Sequence, residues 1–317
     1  MKMRDGWRAC LHPLLVILSG IAVCSASDAQ TGIPGHAQEK ILFEDAHARV
    51  VEVTRWPGGI IDVAAEAHPA IIAVDSPWPA VQVSGGEASA KVDGTPGRPP
   101  HGIVYPWCQV LGPSGAERVQ VLGSFPQHFY RIEYKRIDGP DFSAHWRSWY
   151  PWILAPVRRV PDMGHTPQPG QPFSAEWPYP LVYNAVTAAP ANHFVRYEDA
   201  HVQLVEVTVR PGETENMHGH PYRSVYANDG AGPTDPVPTK QVNKTLHPVS
   251  EPPWGSREGR GSALPGQAFP DCLAAAPEAP HQVYNPDRVP EHFFRLQFKR
   301  IDGDAIRTSW QAWYPRP

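Results

Sequence analysis

The sequence has little charge and few long apolar runs. Charged residues make up 19% of the 317-residue chain, the formal net charge is −4, and no basic run exceeds two residues. A nucleic-acid-binding surface needs concentrated positive charge, so we expect no nucleic-acid partner. Beyond the N-terminal segment no apolar stretch is long enough to cross a bilayer, so we expect no membrane span. The sequence also lacks a serine nucleophile elbow, a glycine-rich phosphate loop and a Cys-x-x-Cys pair.

The first 29 residues have the layout of a secretory signal peptide. Basic residues precede an apolar run over 11–23, and small residues follow where cleavage is expected. The run is too short to favour a membrane span, so we expect a secreted or periplasmic protein. Cys24 leaves a lipoprotein open, although Val23 stands where a lipobox needs a small residue.

Cysteine is scarce, and only Cys108 and Cys272 remain beyond the signal segment. An even pair in an oxidising compartment allows a disulfide. The two residues occupy equivalent places after Tyr105-Pro106 and Phe269-Pro270, so a bridge near a pseudo-twofold axis is one interpretation. Two separate buried thiols are the other.

Proline and tryptophan are abundant, with 38 and 11 residues, whereas stretches with a helical period are rare. Short apolar segments separated by proline favour strands joined by rigid loops. The sequence therefore predicts an all-β fold.

Two sequence blocks occur twice in the same order. The segment 44–54 returns at 198–208 with eight of eleven positions identical. The segment 128–151, which contains Lys-Arg-Ile-Asp-Gly and a Trp-Tyr-Pro ending, has its partner at 292–315. Self-similarity of this kind indicates an internal duplication.

The repeats divide the chain into two domains, over about 40–152 and 190–317, joined by a proline-rich connector over 153–189. Within the repeated blocks polar and apolar residues alternate with period two, as in half-buried strands. A polar stretch over 229–268 is expected to form a long loop, either a lid over a barrel mouth or a surface insertion.

The second half carries a pair of histidines and a third downstream. Gly212 is followed after five residues by His218-Gly219-His220, and His281 precedes Asn285 by four positions. These stretches resemble the two sequence motifs of the cupin superfamily, which match well only in this half. The resemblance implies two tandem cupin-type jelly-roll β-barrels related by internal duplication.

The histidine spacing predicts a metal site. Alternate residues of a strand point the same way, so His218 and His220 present both imidazoles on one face, and His281 from an adjacent strand completes the set. Imidazole ligands suit a divalent ion of Fe, Mn, Zn, Ni or Cu. The competing interpretation is that these histidines fill a polar interior without an ion.

One residue of the family pattern is missing. The pattern places a glutamate four or five positions after the second histidine, where this chain has Ser224 and Val225. Glu213 and Glu215 precede the histidines and would need an unusual turn to replace it. The simpler hypothesis is a three-histidine site, whose ion keeps its full charge and favours an anionic or chelating ligand.

Tyr222, Ser224 and Tyr226 follow His220 with period two and are candidates for ligand contacts on its inward face, with core packing as the alternative. Arg131 and Arg295 lie in alternating segments and are expected to be solvated or paired. The aromatic segments 146–152 and 310–314 end the two repeats, which favours packing between barrels over carbohydrate stacking.

The first half matches the motifs less well. Aligning His68-Pro69 with His220-Pro221 places Glu66 at the position of His218 and Glu117 opposite His281. Glu66, His68 and Glu117 could bind a hard cation. A barrel kept for packing against its twin is the preferred interpretation.

The leading hypothesis is an exported bicupin that binds a divalent metal through three histidines. The resemblance implies metal-dependent, dioxygenase-type chemistry on a small oxygenated or carboxylated molecule. The alternative is a non-catalytic small-ligand-binding or structural cupin module. No residue stands out as a general acid or base, so whether the chain is an enzyme is left open, as is a homodimer.

Overall fold

The computed structural model describes residues 37–79, 81–84, 105–154, 173–230, 260–261, 269–285 and 288–315. The signal peptide expected over 1–29 and most of the loop over 229–268 lie outside the described residues. Among the helices that are described, none has the length and apolar character needed to cross a membrane.

The first half contains a five-stranded and a three-stranded antiparallel sheet. The larger sheet has the order β1-β2-β8-β4-β6 and the smaller β3-β7-β5, so the chain alternates between the two as in a jelly roll. The strands are β1 (Ala37–Glu44), β2 (Ala48–Arg55), β3 (Ile60–Val63), β4 (Ala70–Val74), β5 (Val81–Ser84), β6 (Trp107–Leu111), β7 (Glu117–Val121) and β8 (Gln127–Tyr134).

The second half repeats this order. Its larger sheet runs β13-β14-β12-β16-β10-β9, and β11 pairs with β15 in the smaller one. The strands are β9 (His193–Glu198), β10 (Val202–Val209), β11 (His218–His220), β12 (Arg223–Asn228), β13 (Arg260–Gly261), β14 (Asp271–Ala275), β15 (Glu278–His281) and β16 (Glu291–Phe298). The prediction of an all-β fold made of two duplicated jelly-roll units is confirmed.

The largest apolar core lies between the halves. It joins residues of the first large sheet, such as Val50 and Ile132, to residues of the second, such as Leu204 and Phe294. Because successive side chains of a strand face opposite ways, every second residue of both sheets is committed to this shared core. We call the side of each large sheet that faces this core its outer face. Burial of the two outer faces is the main apolar contribution to the pairing of the two units.

Cys108 of β6 and Cys272 of β14 form a disulfide across this core, with 6.3 Å between their Cα atoms. Of the two interpretations of the cysteine pair, the structure therefore has the bridge. The loop closed by the bond spans 164 residues, so the crosslink removes much conformational freedom from the unfolded chain.

Three short helices complete the described part of the chain: α1 (Phe142–Trp149), α2 (Ala185–Ala188) and α3 (Ile306–Trp313). α1 and the turn after it cluster with Val289 of the second half. Conversely, α3 clusters with Trp56 and Phe125 of the first half. The aromatic segments at the ends of the repeats thus pack between the halves.

The described part of the predicted connector, 173–189, packs on the second half. Trp177 is buried, and its indole Nε1 donates a hydrogen bond to the Glu278 carbonyl at 2.8 Å. Asn184 forms a bridge to Gly219 of β11. This segment therefore supports the strands that carry the histidine motifs.

The repeated polar residues form a buried network at the junction. His47 Nε2 lies 2.7 Å from Asp229 Oδ2 of the other half. The Tyr150 hydroxyl donates to Asp138 and lies 3.0 Å from His47 Nδ1. Gly139 donates its N–H to the Asp229 carbonyl. Its φ of +51° is a left-handed conformation, which favours glycine.

An equivalent network stands on the other side of the junction. His201 Nε2 lies 2.8 Å from Asp75 Oδ2, and the Tyr314 hydroxyl donates to Asp302 at 2.6 Å. His128 of β8 adds to it, with Nε2 at 3.1 Å from Glu52 Oε1 and Nδ1 at 3.8 Å from Asp75 Oδ1. Burial alone would lower the pKa of His128, but these two carboxylates raise it to about 9.

We expect the free energy of unfolding to fall as the pH rises from about 6.5 to about 9. His128 stays protonated in the folded chain up to about pH 9, whereas it loses its proton near 6.5 when unfolded. The stabilisation is complete below the lower value and is lost through the upper one, amounting to at most about 3 kcal/mol. Denaturant unfolding at pH 6, 7.5 and 9.5 measures it.

The variant His128→Gln should be less stable at pH 6 and should lose most of this pH dependence. His145→Gln, which changes an exposed histidine of α1, is the control and should keep the wild-type slope. If the unfolding free energy of His128→Gln falls with pH as steeply as that of the wild type, the loss of stability at high pH does not come from this residue.

Candidate metal centre

The inner faces of the second half carry its polar side chains. In β10 and β16 the residues Leu204, Phe294 and Leu296 face the shared core, so their neighbours face the interior of the second unit. Arg295 and Gln297 are therefore interior, and His193 pairs with Val207 of the same inner face. The small sheet of β11 and β15 presents the histidine motifs to this interior.

The three predicted histidines lie together. His218 and His281 are direct partners in the pairing of β11 with β15. The His218 ring centroid lies 5.3 Å from that of His220 and 4.7 Å from that of His281. The ring centroids of His220 and His281 are 5.8 Å apart. The ligand atoms close enough to share one ion form two groups that overlap at His220: His193, His218 and His220, and His220, Glu278 and His281.

A fourth histidine, which the sequence did not single out, joins the cluster from β9. The His193 ring centroid lies 4.6 Å from that of His218 and 5.3 Å from that of His220. One ring nitrogen from each of these three histidines lies within 4.8 Å of the others. His193 precedes the first motif and belongs to neither, so only the pairing of β9 with β10 and the packing of that sheet on β11 reveal it.

Hydrogen bonds fix the orientation of three of the four rings. His218 and His281 each place Nδ1 at 2.8 Å from a backbone carbonyl, of Asn216 and Ala279 respectively. His193 Nδ1 lies 3.3 Å from the Ala189 carbonyl. A carbonyl only accepts, so Nδ1 carries the proton in each ring and the Nε2 lone pair remains for a ligand.

The cluster favours neutral imidazoles. Burial lowers the pKa of His193 to about 3, with further lowering by Arg295. Burial and neighbouring positive charge also hold the pKa values of His218 and His220 well below their ordinary value. Neutral imidazole is the form that coordinates a metal ion, so burial favours the binding form of these three histidines.

These residues fit a divalent metal. Imidazoles around one ion, with metal–nitrogen distances near 2 Å, place their ring centroids roughly 4.5–5.3 Å apart, which is close to the observed spacing. His220 Nδ1 is buried and no described protein group within reach bonds to it. The donor set therefore suits an ion of the Fe, Mn, Ni, Cu or Zn type.

Two carboxylates lie beside the histidines. Glu215 Oε1 lies 3.6 Å from His193 Nδ1, and Glu215 Oε2 lies 3.9 Å from His218 Nε2. Glu278 Oε2 lies 3.7 Å from His220 Nε2. The glutamate of the family pattern is thus absent from its place after His220, but Glu215 from the segment before β11 and Glu278 from β15 lie beside the rings.

The two carboxylates differ in protonation. Burial raises the pKa of Glu215 well above its ordinary value, and the charges of Glu291 and Glu213 add to this rise. Burial also acts to raise the pKa of Glu278, but Arg295 outweighs it and holds the pKa below the ordinary value. Burial thus disfavours the charged form of Glu215, while Arg295 favours the charged form of Glu278, with which it pairs at 3.0 Å.

The candidate ligand contacts have three different environments. Tyr222 is half-buried and packs edge-on against Phe173. Ser224 is fully buried, and its hydroxyl has no hydrogen-bond partner in the described structure. The Tyr226 hydroxyl donates to Glu278 and accepts from Arg295, so it touches the surroundings of the histidine cluster.

The interior of the first half is different. Glu66 pairs with Arg131 at 2.8 Å, and Glu66, His68 and Glu117 form no candidate metal group among the described residues. Arg131 also pairs with Glu39 and Glu133. Both arginines are buried and paired, so the solvated alternative for Arg131 and Arg295 is wrong.

Gly219 lets the two motif strands approach. A Cβ atom built there would lie 2.8 Å from the Glu278 carbonyl oxygen and 3.0 Å from the Pro280 nitrogen, and both are backbone atoms. An alanine at this position must therefore push β11 away from β15. That shift would separate His218 and His220 from His281.

We expect Gly219→Ala to lower metal affinity at least tenfold and to cost about 1–3 kcal/mol of unfolding free energy. Titration with Zn²⁺ and Mn²⁺ followed by calorimetry measures the first effect, and denaturant unfolding the second. Gly115→Ala is the control, because a Cβ there meets no atom within 4 Å. Equal metal affinity in both variants would contradict the proposed role of strand approach.

No family model and no curated protein matches the sequence. Among solved structures, the chain is similar to a cupin domain from Bordetella pertussis, with 14% identity over 33% of this chain and 99% of that one and a TM-score of 0.25. A cupin 2 conserved barrel domain protein from Leptotrichia buccalis has 6% identity over 84% and 91% of the two chains, with a TM-score of 0.24. An oxalate decarboxylase from Lactobacillus farciminis, in a formate complex, has 14% identity over 87% and 85%, with a TM-score of 0.22.

The two halves share the jelly-roll strand order β1-β2-β8-β4-β6 and β9-β10-β16-β12-β14. The histidine motifs lie on the paired strands β11 and β15 of the second half. By strand order, the described residues form two jelly-roll units related by duplication, and the second unit carries a histidine cluster that could hold a metal ion.

Proposed function

We propose that the second half binds one divalent transition-metal ion through His218, His220 and His281, with His193 as a fourth ligand. The observation that carries the proposal is the shared orientation of the rings. Three of the four imidazoles turn Nδ1 toward a backbone carbonyl, which leaves Nε2 for the cluster. Histidines that merely filled a polar interior would have no reason to share this arrangement.

The number of ligands decides what the ion can do. Four imidazoles complete a tetrahedral ion such as Zn²⁺ and close the site, whereas a six-coordinate ion keeps two positions open. The neutral ligands leave the ion its full charge, which favours an anionic ligand. An enzyme therefore needs an ion with higher coordination, or His193 must stay off the metal.

In the leading version the chain is a metal-dependent enzyme acting on a small oxygenated or carboxylated molecule, with dioxygenase-type chemistry. A bound ion with open positions supplies Lewis acidity and a place for dioxygen. The chain's own residues supply the surroundings: Arg295 holds a positive charge, and Tyr226 and Glu278 hold Arg295 in place. Export through the segment 1–29 and a homodimer are parts of the hypothesis that rest on the sequence.

The second candidate is a non-catalytic binding module. It is favoured by the state of the two nearby carboxylates, since burial disfavours the charged form of Glu215 and Glu278 is engaged by Arg295 and Tyr226. Glu278 is therefore not free to act as a general base. A module of this kind would capture a small ligand on the metal without turning it over.

Elemental analysis of purified protein tests the metal. We expect about one equivalent of a divalent transition metal in the wild type and a loss of at least tenfold in affinity in His218→Ala and His281→Ala. His193→Ala should keep the metal with weaker affinity and gain an open coordination position. The exposed residue His145 provides the control His145→Ala, which should retain full occupancy. Equal metal content in all four variants would remove the proposed site.

Dioxygen consumption separates the two candidate functions. Wild-type protein loaded in turn with Fe²⁺, Mn²⁺, Ni²⁺ and Cu²⁺ is incubated with small hydroxy- and keto-carboxylates in an oxygen electrode. Consumption that disappears in His218→Ala supports the enzyme. Tight ligand binding with no consumption for any of these metals supports the binding module.

A further inference from the structure

The two repeats offer an internal comparison at one buried arginine. Arg131 in β8 and Arg295 in β16 hold equivalent positions on the inner faces of the two units. In the first unit every guanidinium nitrogen of Arg131 is engaged: Nε by Glu133, Nη1 by Glu66 at 2.8 Å, and Nη2 by Glu39 at 3.3 Å. Arg131 is therefore a closed structural centre.

Arg295 has none of these three carboxylates at the equivalent positions, and its one carboxylate partner, Glu278, comes from β15. The position of Glu39 is held by His193 and that of Glu133 by Gln297, as the strand registers show. Arg295 is fully buried, and its Nη1 contacts Glu278 at 3.0 Å and the Tyr226 hydroxyl. Its Nε and Nη2 have no hydrogen-bond partner among the described protein groups.

Further unpartnered polar atoms stand next to Arg295. Gln297 lies two residues along β16 on the same face, and neither its Oε1 nor its Nε2 has a partner in the described structure. Ser224 lies directly opposite Gln297 in the pairing of β12 with β16, and its buried Oγ is equally unpartnered there. We call Ser224, Arg295 and Gln297 the polar shelf.

Such a concentration of unpartnered buried groups points to a ligand. Each buried polar atom without a partner costs about 1–3 kcal/mol, more for a charged group, and native interiors contain few of them. In a guanidinium, Nε–H and Nη2–H lie on the same edge and match the two oxygens of a carboxylate. Gln297 and Ser224 can both donate and accept, which suits a hydroxyl or a carbonyl.

We propose that the ligand of the second unit is a small carboxylate that carries hydroxyl or carbonyl groups. Its carboxylate binds the Nε and Nη2 edge of Arg295, and a second polar group meets Gln297 and Ser224, about 7 Å farther along the strand. This inference rests on the proposed function for the metal beside the shelf. Tyr226 and Glu278 act as positioning residues, because they hold the third nitrogen of Arg295.

Calorimetry on metal-loaded protein tests the ligand class with matched pairs: glycerate with propionate, malate with succinate, and gluconate with hexanoate. Sorbitol serves as the uncharged polyol. We expect at least one hydroxy acid to bind at least tenfold more tightly than its deoxy partner, and sorbitol to show no binding. The inference is overturned if every pair binds equally or if no acid binds.

The variant Gln297→Met distinguishes a ligand contact from a structural residue. Removing an unpartnered buried amide should leave the melting temperature unchanged or raise it, while the preference for the hydroxy acid is lost. Gln127→Met is the control: its buried amide oxygen accepts a hydrogen bond from Arg55 at 3.2 Å, so that variant should be less stable and keep the preference. A destabilised Gln297→Met that retains the preference contradicts the inference.

Arg295→Lys keeps the positive charge but removes the two-pronged edge, so we expect at least a tenfold loss of affinity for the hydroxy acid and for its deoxy partner. Metal content is measured in every sample. Absence of metal from the wild type refutes the proposed function, whereas full metal content without discrimination between hydroxy and deoxy acids refutes the polar shelf alone.

Discussion

The packing of the two large sheets against each other determines the rest of the structure. Their outer faces form one continuous apolar core, which the disulfide between Cys108 and Cys272 crosses. On each side of the junction a histidine of one half meets an aspartate of the other, and a tyrosine contacts that histidine and donates to an aspartate of its own half. These buried polar groups are satisfied only when both halves are present, so the junction specifies one relative arrangement as well as contributing apolar burial. The repeated blocks of the sequence are the residues of this junction.

Because the outer faces of both large sheets are buried in the junction, only the inner faces are left to bind a metal ion or a ligand. The same backbone has two different interiors. In the first unit, three carboxylates engage all three guanidinium nitrogens of Arg131, so this arginine keeps no free edge for a ligand. In the second unit, His193 and Gln297 replace two of those carboxylates and Arg295 keeps an unpartnered edge. Duplication thus produced one interior that is closed by ion pairs and one that holds neutral donors beside a positive charge.

The electrostatics of the second interior explain why its histidines suit a metal. Burial and Arg295 both oppose protonation of these rings, so a proton cannot satisfy their lone pairs at neutral pH. A divalent ion can do so, because several lone pairs act on it at once. The positive charge of such an ion and of Arg295 exceeds the charge of Glu278, which makes an anion the natural third component of the interior.

The sequence by itself determined the all-β class, the duplication, and the set His218, His220 and His281, since these depend on period-two alternation and on similarity between segments of one chain. It left the cysteine pairing open, and it did not reveal His193, Glu278 or the unpartnered edge of Arg295. Alternation states which face a side chain occupies, but the neighbours across that face are decided by strand pairing and by the packing of one sheet on another. Those contacts join elements whose relative placement the alternation does not state, so the fourth histidine and the surroundings of the arginine appear only in the folded structure.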